Sequence, residues 1–195
     1  FSITGFNENA LPEFETNADK NSQIPSLLKT INHETITSDK IYNSNVATGA
    51  ELLLLSDGVT IQKSQAGGGS PIIRGFEANR VLLMVDGVRM NNAIYRSGHL
   101  QNSITIDPNN IERAEVIFGS SSVGYGSDAM GGVIHYYTKS PVLNSSQKIS
   151  SSFTTNYSSA NQSISNNYIT NYSKESWGSI TSLSVSKYGD IKMGK

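Results

Sequence analysis

The sequence contains no cysteine, which excludes disulfide bonds, thiolate metal sites and cysteine nucleophiles. It also has no excess of either charge, since 15 Lys and Arg residues stand against 16 Asp and Glu residues for a net charge of -1. A chain with this balance exerts no general attraction on nucleic acid or on an anionic membrane surface. We therefore expect no nucleic acid among its partners.

Long hydrophobic runs are also missing. A membrane-spanning helix requires about 18 consecutive apolar residues, whereas the longest runs here are Leu52 to Leu55 and Val81 to Val85. Charged residues make up 16% of the chain, below the roughly 25% of average soluble domains. A polar, weakly charged chain rich in Ser, Asn, Gly and Tyr is typical of a β-protein with many turns. Because it begins at Phe1 and stops at Lys195 without a closing element, we expect a fragment of a longer protein.

Composition divides the chain into three parts. Residues 1–23 show no sustained periodicity and predict an extended lead, with a short strand at Ile3 to Phe6. Residues 24–140 place short apolar runs between glycine turns and predict a small α/β domain. Residues 141–195 contain 15 Ser and 6 Asn, and they predict strands of a different kind.

Short strands and two short helices are predicted within the α/β domain. The strands lie at Ser26 to Ile36, Val59 to Lys63, Pro71 to Phe76, Arg80 to Met90, Ala114 to Phe118 and Val133 to Thr138. The helix signals are a capping box at Thr48 to Glu51 before Leu52 to Leu55, and Asp107 followed by Pro108. The turn signals are Asp57-Gly58, Gly67 to Gly69 and Asp86-Gly87. Because Val81 to Val85 is apolar on both faces, we expect it to be central in its sheet.

The segment after Pro141 alternates apolar or aromatic residues with Ser, Thr and Asn. The apolar positions are Ile149, Phe153 and Tyr157, then Ile164, Tyr168 and Tyr172, then Trp177, Leu183 and Val185. Such alternation over roughly 9 to 11 residues is the weak signature of a transmembrane β-barrel strand, although a soluble β-meander shows it too. Three strands cannot close a barrel, so most of a barrel would lie beyond Lys195.

One stretch matches the sequence of a cofactor-binding motif but lacks the structural context that the motif requires. Gly124 to Ala129 fits the G-x-G-x-x-G/A dinucleotide fingerprint, which requires a helix N-terminus within a βαβ unit. Here Gly131-Gly132 and the strand Val133 to Thr138 follow at once, so we interpret the motif as a turn. No G-x-S-x-G, H-E-x-x-H or P-loop is present. The acids Asp86, Asp107, Glu112, Glu115 and Asp128 are explained as turns, caps and ion-pair partners, and no enzyme is expected.

Arginines and histidines are the remaining candidates for binding. The arginines are Arg74, Arg80, Arg89, Arg96 and Arg113, and the histidines are His33, His99 and His135. Ion pairing inside the small sheet is the first interpretation of the arginines. The alternative is that they pair with carboxylates of a structure that surrounds the domain. His99 lies in a polar loop with Tyr95, and imidazole or phenolate can ligate iron.

Four motifs occur together in a fixed order. They are Ile73-Arg74-Gly75-Phe76, Val85-Asp86-Gly87-Val88, Ile111-Glu112-Arg113 with Glu115-Val116, and Tyr125-Gly126 followed by Gly131 to Ile134. In combination they resemble the plug domain of TonB-dependent outer-membrane receptors, and the haem, haemoglobin and siderophore branch of Bacteroidetes-type bacteria in particular. The resemblance extends over about residues 24 to 195. We find no TonB-contact motif in Phe1 to Gln23.

The resemblance implies a fold and a function. Residues 24–140 would be an α/β plug with a small mixed sheet, and residues 141–195 the first antiparallel strands of the surrounding transmembrane β-barrel. Such receptors lie in the outer membrane of Gram-negative cells and import a scarce ligand, usually haem or a ferric siderophore, with energy from TonB and its inner-membrane complex. The ligand would be cargo, and no resident cofactor is implied. The alternatives are import of cobalamin or an oligosaccharide, or a soluble α/β binding module.

The resemblance also implies where the ligand and the barrel are contacted. The expected ligand-binding residues are Arg74, Gly75, Phe76, Glu77, Asn79, Tyr95, Arg96 and His99. His99 is a candidate haem ligand, against the alternative that it is structural or solvated. Arg113 and Glu115 are expected to face charges of the barrel wall.

Overall fold

The computed structural model describes residues 33–65, 68–77, 80–90, 103–126, 129–141, 143, 148–159 and 162–189. Its strands are β1 (His33–Thr37), β2 (Val59–Gln65), β3 (Gly68–Ile73), β4 (Val81–Val85), β5 (Val88–Arg89), β6 (Ile111–Phe118), β7 (Gly132–Thr138), β8 (Lys148–Ser158), β9 (Ser163–Ser173) and β10 (Gly178–Lys187). The helices are α1 (Ser38–Ser44) and α2 (Gly49–Leu53), with 3-10 turns at Ser103–Thr105, Pro108–Asn110 and Gly119–Tyr125. In these ranges no helix is long and apolar enough to cross a membrane.

Five strands form one mixed sheet in the order β1-β6-β7-β4-β5. Strands β4 and β7 run parallel, and the other neighbours are antiparallel. A parallel pair needs a long crossover connection, which residues 86–131 supply between β4 and β7. The predicted α/β domain with a small mixed sheet is confirmed.

The main core lies on one face of this sheet. Ile36, Val116 and Tyr136 are 0% exposed, and they pack in one cluster with Leu52 and Leu53 of α2. Each buried side chain of this size contributes about 1.5–3 kcal/mol relative to an exposed one. The hairpin β2–β3 and the two helices thus hold the sheet from this side.

Strand β4 is buried on both faces, as its unbroken apolar run predicts. Val81 and Leu83 belong to the main core, while Leu82 and Met84 join a second cluster with Val133 on the opposite face. The second face is more polar, and it carries most of the charged groups described below.

Helix α1 is an element that the sequence prediction misses. Its N-cap Thr37 accepts a hydrogen bond from the Lys40 N–H at 3.5 Å, and Asn45 ends it in the left-handed conformation with φ 50. Of its seven residues only Ile41 is buried, so no helical spacing of apolar residues is visible. The capping box of α2 is confirmed, because Thr48 Oγ1 accepts from the Glu51 N–H at 3.2 Å.

Three predicted boundaries need correction. Of the expected Gly67 to Gly69 turn, Gly68 and Gly69 belong to β3 instead, and a Cβ on Gly69 would stand 2.5 Å from Ile61 Cγ2. Gly67 lies outside the described residues. The expected strand Pro71 to Phe76 is broken after Ile73 by a turn. The expected strand Arg80 to Met90 is divided into β4 and β5 by the Asp86-Gly87 turn that its own sequence signals. The predictions at Ile3 to Phe6 and Ser26 to Asn32 lie outside the described residues.

Strands β8, β9 and β10 form a separate antiparallel sheet, which we call the meander. Its register aligns Phe153, Tyr168 and Leu183, and the predicted apolar rows therefore share one face, the outer face. Phe153 is 67% and Leu183 64% exposed. The opposite, inner face carries Ser and Asn, among them the buried Asn167. The partition of the chain at residues 24 and 141 stays a prediction.

Candidate functional site

A two-residue turn connects β3 to the chain that leads into β4. Ile73 and Phe76 exchange two backbone hydrogen bonds, of 2.9 and 2.8 Å, around Arg74 with φ 49 and Gly75 with φ 84. Glycine adopts such angles freely, whereas an arginine there is uncommon, and residues in this region cluster at functional sites. We call residues 73–77 the Arg74 turn.

The Arg74 turn rests on β6 and on the start of β7. The Arg74 guanidinium carbon lies 4.9 Å from the centre of the Phe118 ring, a cation–π contact. Phe76 packs over Gly131, where an added Cβ would overlap the Phe76 side chain and stand 3.0 Å from the Arg80 carbonyl oxygen. Because Gly131 has no Cβ, the Phe76 side chain can pack directly against the backbone there.

The structure describes half of the expected ligand-binding residues. Arg74, Gly75, Phe76 and Glu77 lie together and exposed on the Arg74 turn. They combine a cation, an aromatic ring and a carboxylate, which can bind an anionic or aromatic molecule. Asn79, Tyr95, Arg96 and His99 lie outside the described residues, so the ligand-binding role of the whole set stays a prediction.

Arg113 and Glu115 pair with each other on the more polar face of the sheet. Arg113 Nε lies 3.0 Å from Glu115 Oε1, with side chains 23% and 20% exposed. The Arg113 guanidinium also stacks 3.7 Å from the centre of the Tyr137 ring, whose hydroxyl donates to Glu115 Oε2 at 3.1 Å. Burial, together with the Glu115 charge, raises the pKa of Tyr137 to about 12. The internal pairing is thus present, and the expected contact of both residues with a barrel wall stays a prediction.

His135 lies beside this group. The sequence predicts no specific role for it. Its Nε2 accepts a hydrogen bond from the Gly87 N–H at 2.9 Å, and its ring lies 4.0 Å from that of Tyr137. Its Nδ1 is buried with no hydrogen-bond partner within the described part of the chain. Burial lowers the pKa of His135, although the charges of Glu115 and Asp86 oppose that shift. The neutral imidazole is therefore part of the fold.

Asp86 and Asp107 have the structural roles that the sequence predicts for them. Asp86 has φ 46 in its turn, and its carboxylate accepts from the Thr138 N–H at 2.9 Å and from the Thr138 hydroxyl at 2.7 Å. Asp107 caps the 3-10 turn Pro108–Asn110 by accepting from the Asn109 N–H at 2.9 Å. Asp128 lies outside the described residues.

In the motif at Gly124 to Ala129, Gly124 and Tyr125 end the 3-10 segment Gly119–Tyr125, and the Ala129 N–H donates to the Gly126 carbonyl at 3.2 Å, as in a turn. Ser127 and Asp128 lie outside the described residues, and β7 follows from Gly132. Gly126 has φ 108, and a Cβ there would stand 2.6 Å from the Arg89 guanidinium, which donates to the Tyr125 carbonyl. The glycine thus makes room for an arginine. Among the described residues no group of three His, Cys, Asp or Glu side chains could hold a metal ion.

A polar cleft of about 740 Å³ separates the domain from the meander. Its lining residues include Asn43, Asn109 and Lys139 from the domain, and Thr154 and Asn167 from the inner face of the meander. Ser184 of β10 crosses to the domain and donates a hydrogen bond to the Asp107 carboxylate. The sequence does not predict a role for Ser184 or Asn167. Only their position on the inner face of a strand distinguishes them from the many other Ser and Asn residues of this segment.

Known proteins share both sequence and fold with this chain. Residues 28–133 match the family described as TonB-dependent Receptor Plug Domain. A stretch of 97 residues is 38% identical to the hemin receptor of Yersinia pestis, covering 49% of this chain and 14% of that receptor. A stretch of 84 residues is 48% identical to the vitamin B12 transporter BtuB of Vibrio vulnificus, covering 41% of this chain and 13% of the transporter.

The fold likeness extends beyond the plug. The siderophore receptor PirA from Pseudomonas aeruginosa superposes with a TM-score of 0.58 at 23% identity, covering 87% of this chain and 30% of that chain. A match over so much of the chain must include part of the meander, and it confirms the predicted fold of an α/β plug followed by the first antiparallel strands of a β-barrel. The matched stretches are well under half the length of these relatives. Because the family match covers more than half of the residues, the chain belongs to the TonB-dependent receptor plug domain family.

Proposed function

We propose that the chain is the plug and first wall strands of an outer-membrane receptor that imports a scarce ligand, most directly haem or a ferric siderophore. The observation that carries the proposal is the meander attached to a plug-family domain. Its strands of 11, 11 and 10 residues match the 9 to 11 or so that cross a bilayer at a tilt. Their outer face carries most of the apolar and aromatic side chains, and their inner face carries mainly Ser, Thr and Asn, as a lipid-facing wall around a wet interior requires.

The choice of ligand is supported by relatives and by the Arg74 turn. The matched proteins include a hemin receptor and a siderophore receptor. Arg74 and Phe76 offer a cation and an exposed ring, which suit the carboxylates and aromatic surface of haem or the anionic groups of a ferric chelate. Haem or the ferric chelate would be cargo, held only in transit. The kinship with a Bacteroidetes-type branch stays a prediction.

Cobalamin is the second candidate. It is favoured by the 48% identity to the vitamin B12 transporter of Vibrio vulnificus, which is higher than the 38% identity to the Yersinia pestis hemin receptor. The two matches cover only 14% and 13% of those proteins, whereas a receptor also contacts its ligand through barrel loops. An oligosaccharide as cargo has no support of this kind.

The remaining parts of the proposal concern partner and location. TonB and its energising inner-membrane complex would act on a segment that precedes the plug, and the receptor would lie in the outer membrane of a Gram-negative cell. A polar, partly open interface between plug and wall supports movement of the plug under such a pull. Import of this kind is transport without bond chemistry, and the sequence contains no G-x-S-x-G, H-E-x-x-H or P-loop.

Growth on defined nutrients tests the function. A strain without the full-length receptor is supplied in turn with haem, a ferric siderophore or cobalamin as the sole source of iron or vitamin. We expect growth to fail on haem or the siderophore and to return with the intact gene. Failure on cobalamin alone would support the second candidate. Normal growth on all three would contradict import of these ligands.

The proposed role of His99 has a separate test. Haem is titrated into the full-length receptor and into its His99→Ala variant. If His99 ligates the iron, the variant should bind haem more weakly and show a shifted Soret band, since an axial ligand sets both properties. Unchanged affinity and an unchanged Soret band would remove that role while leaving haem import possible through other contacts.

A further inference from the structure

Asp107 joins the plug to the meander through a continuous series of hydrogen bonds. Its carboxylate accepts from the Ser184 hydroxyl of β10. That hydroxyl in turn accepts from Asn167 Nδ2 of β9 at 2.7 Å, and the two residues face each other across the strands. Asn167 is only 3% exposed, whereas Ser184 is exposed and Asp107 is partly buried. Hydrogen bonds have preferred distances and angles, so this series specifies geometry more sharply than apolar contacts do.

The plug side of this contact is rigid. Asp107 also accepts from the backbone and side-chain N–H groups of Asn109, both at 2.9 Å. The preceding residue, Ile106, accepts from the Gly49 N–H at 3.2 Å at the start of α2. A Cβ on Gly49 would stand 2.7 Å from Ile106 Cβ, so the two segments are in direct contact. The carboxylate is therefore held in place before it meets the wall.

The contact lies where the chain leaves the plug. Lys139, the residue after β7, donates its N–H to the Asn110 carbonyl at 2.9 Å and its Nζ to the Asn109 carbonyl at 2.7 Å. Burial lowers the pKa of Lys139, and the neighbouring charges of Asp107 and Glu112 oppose that shift. The turn that carries Asp107 and the exit of the plug are thus one structural corner.

The polar cleft begins beside this corner. Pro108, Asn109 and Lys139 line it on the plug side, and Asn167 and Ile169 line it on the wall side. Across an open cleft, close packing cannot fix how the plug sits against the wall. Specific hydrogen bonds must then set that position, and bonds to a charged group are the strongest available.

We propose that Asp107, Ser184 and Asn167 form a corner anchor, which positions the plug against the first wall strands at the point where one passes into the other. The anchor rests on the proposed function and deepens it, because it assigns the residues that hold this side of the plug in position inside the receptor. Its effect is local to this corner.

Thiol labelling of the full-length receptor in its membrane tests the anchor. Thr154→Cys places a thiol on the wall side of the cleft, in a segment that has no cysteine of its own. Ser184→Ala should raise the rate at which a maleimide reagent labels this thiol by about tenfold, since it removes a hydrogen bond to a charged group. Ser184→Thr should restore the slow rate, because it keeps the hydroxyl and suits a strand.

The matched control is Ser186→Ala, on the same strand and face. The Ser186 hydroxyl donates to Ser165 Oγ at 2.9 Å within the meander, so its loss should leave labelling unchanged. An unchanged rate in Ser184→Ala, or an equal rise in both alanine variants, would overturn the anchor. Labelling requires no ligand, so a receptor that imports none of the tested nutrients could still confirm the anchor, and an importing receptor could still refute it.

Discussion

Single residues decide how the more polar half of the plug is assembled. Gly131 lets the Phe76 side chain pack against the backbone, and Gly126 leaves space for the Arg89 guanidinium. His135 accepts a hydrogen bond from the Asp86-Gly87 turn through one ring nitrogen. The two glycines allow close contacts because they lack a Cβ atom, and His135 accepts a hydrogen bond through the lone pair of Nε2. Substitutions there should therefore act sharply, whereas neighbouring positions tolerate change.

Gly131→Ala should destabilise the Arg74 turn. The new Cβ would overlap Phe76 and crowd the Arg80 carbonyl oxygen, and overpacking of this kind costs about 1–3 kcal/mol. Hydrogen exchange of the amides at residues 72–77 in the full-length receptor measures the free energy of local opening, which should fall by that amount. Gly124→Ala is the control, since a Cβ at Gly124 meets nothing within 4 Å. Equal protection in both variants would show that Phe76 can shift freely.

The Asp86-Gly87 turn should loosen in acid because of His135. Burial lowers the pKa of His135 in the folded protein, so the unfolded state takes up a proton first as the pH falls below about 6.5. The stability that the neutral ring contributes is thus full above that value and is lost as the pH falls through the lowered pKa. Protonation also removes the lone pair that accepts from the Gly87 N–H.

Exchange of the Gly87 amide, corrected for the intrinsic effect of pH, checks this prediction. Protection should fall as the pH drops below about 6.5 in the native receptor, because the histidine of the opened state titrates with its ordinary pKa. His135→Gln should flatten the dependence, because an amide side chain does not titrate there. His33→Gln, at an exposed position on β1, is the control and should keep the native profile. A native profile without any slope would refute the role of His135.

At the scale of elements, short local signals fix the helices of this plug. Helix α2 has five residues and begins at a capping box, in which Thr48 accepts from the Glu51 N–H and Glu51 accepts from the Ala47 N–H at 3.1 Å. A helix this short has little stability of its own. Its cap and its packing against the sheet must therefore hold it.

Thr48→Ala should weaken α2 measurably. Loss of an N-cap hydroxyl costs about 1 kcal/mol, and the loss should appear as faster exchange of the amides at residues 50–53. Thr48→Ser is the matched control and should keep nearly native protection, because serine caps helices as well as threonine does. If the alanine variant matched the serine variant, packing alone would be sufficient to hold α2.

These elements also show what sequence can predict. The capping box and the Asp86-Gly87 turn were found because their signals lie within four residues of each other. Helix α1 was missed because one buried residue, Ile41, gives no period. The hydrogen bond from Ser184 to Asp107 joins positions that lie 77 residues apart. A pattern within a window carries no information about such partners.

At the scale of the whole molecule, the two faces of the meander meet different surroundings. The outer face presents exposed rings and aliphatic side chains, such as Phe153 and Tyr168, and Trp177 packs against Tyr172 with ring centres 4.8 Å apart. The inner face presents hydroxyls and amides to the cleft. Exposed apolar surface of this extent indicates an apolar environment, which the proposed receptor would find in the bilayer.

Phe153→Arg should therefore impair assembly in the membrane, whereas Ser152→Arg should not. Phe153 lies on the outer face, where an arginine near the middle of the bilayer costs about 2–4 kcal/mol. Ser152 lies one residue away on the inner face and lines the polar cleft, where the charge stays hydrated. Urea titration of the full-length receptor in lipid vesicles measures both. A lower midpoint in Phe153→Arg alone would place the outer face in lipid, and equal midpoints would show that this face lies in water, as in a soluble binding module.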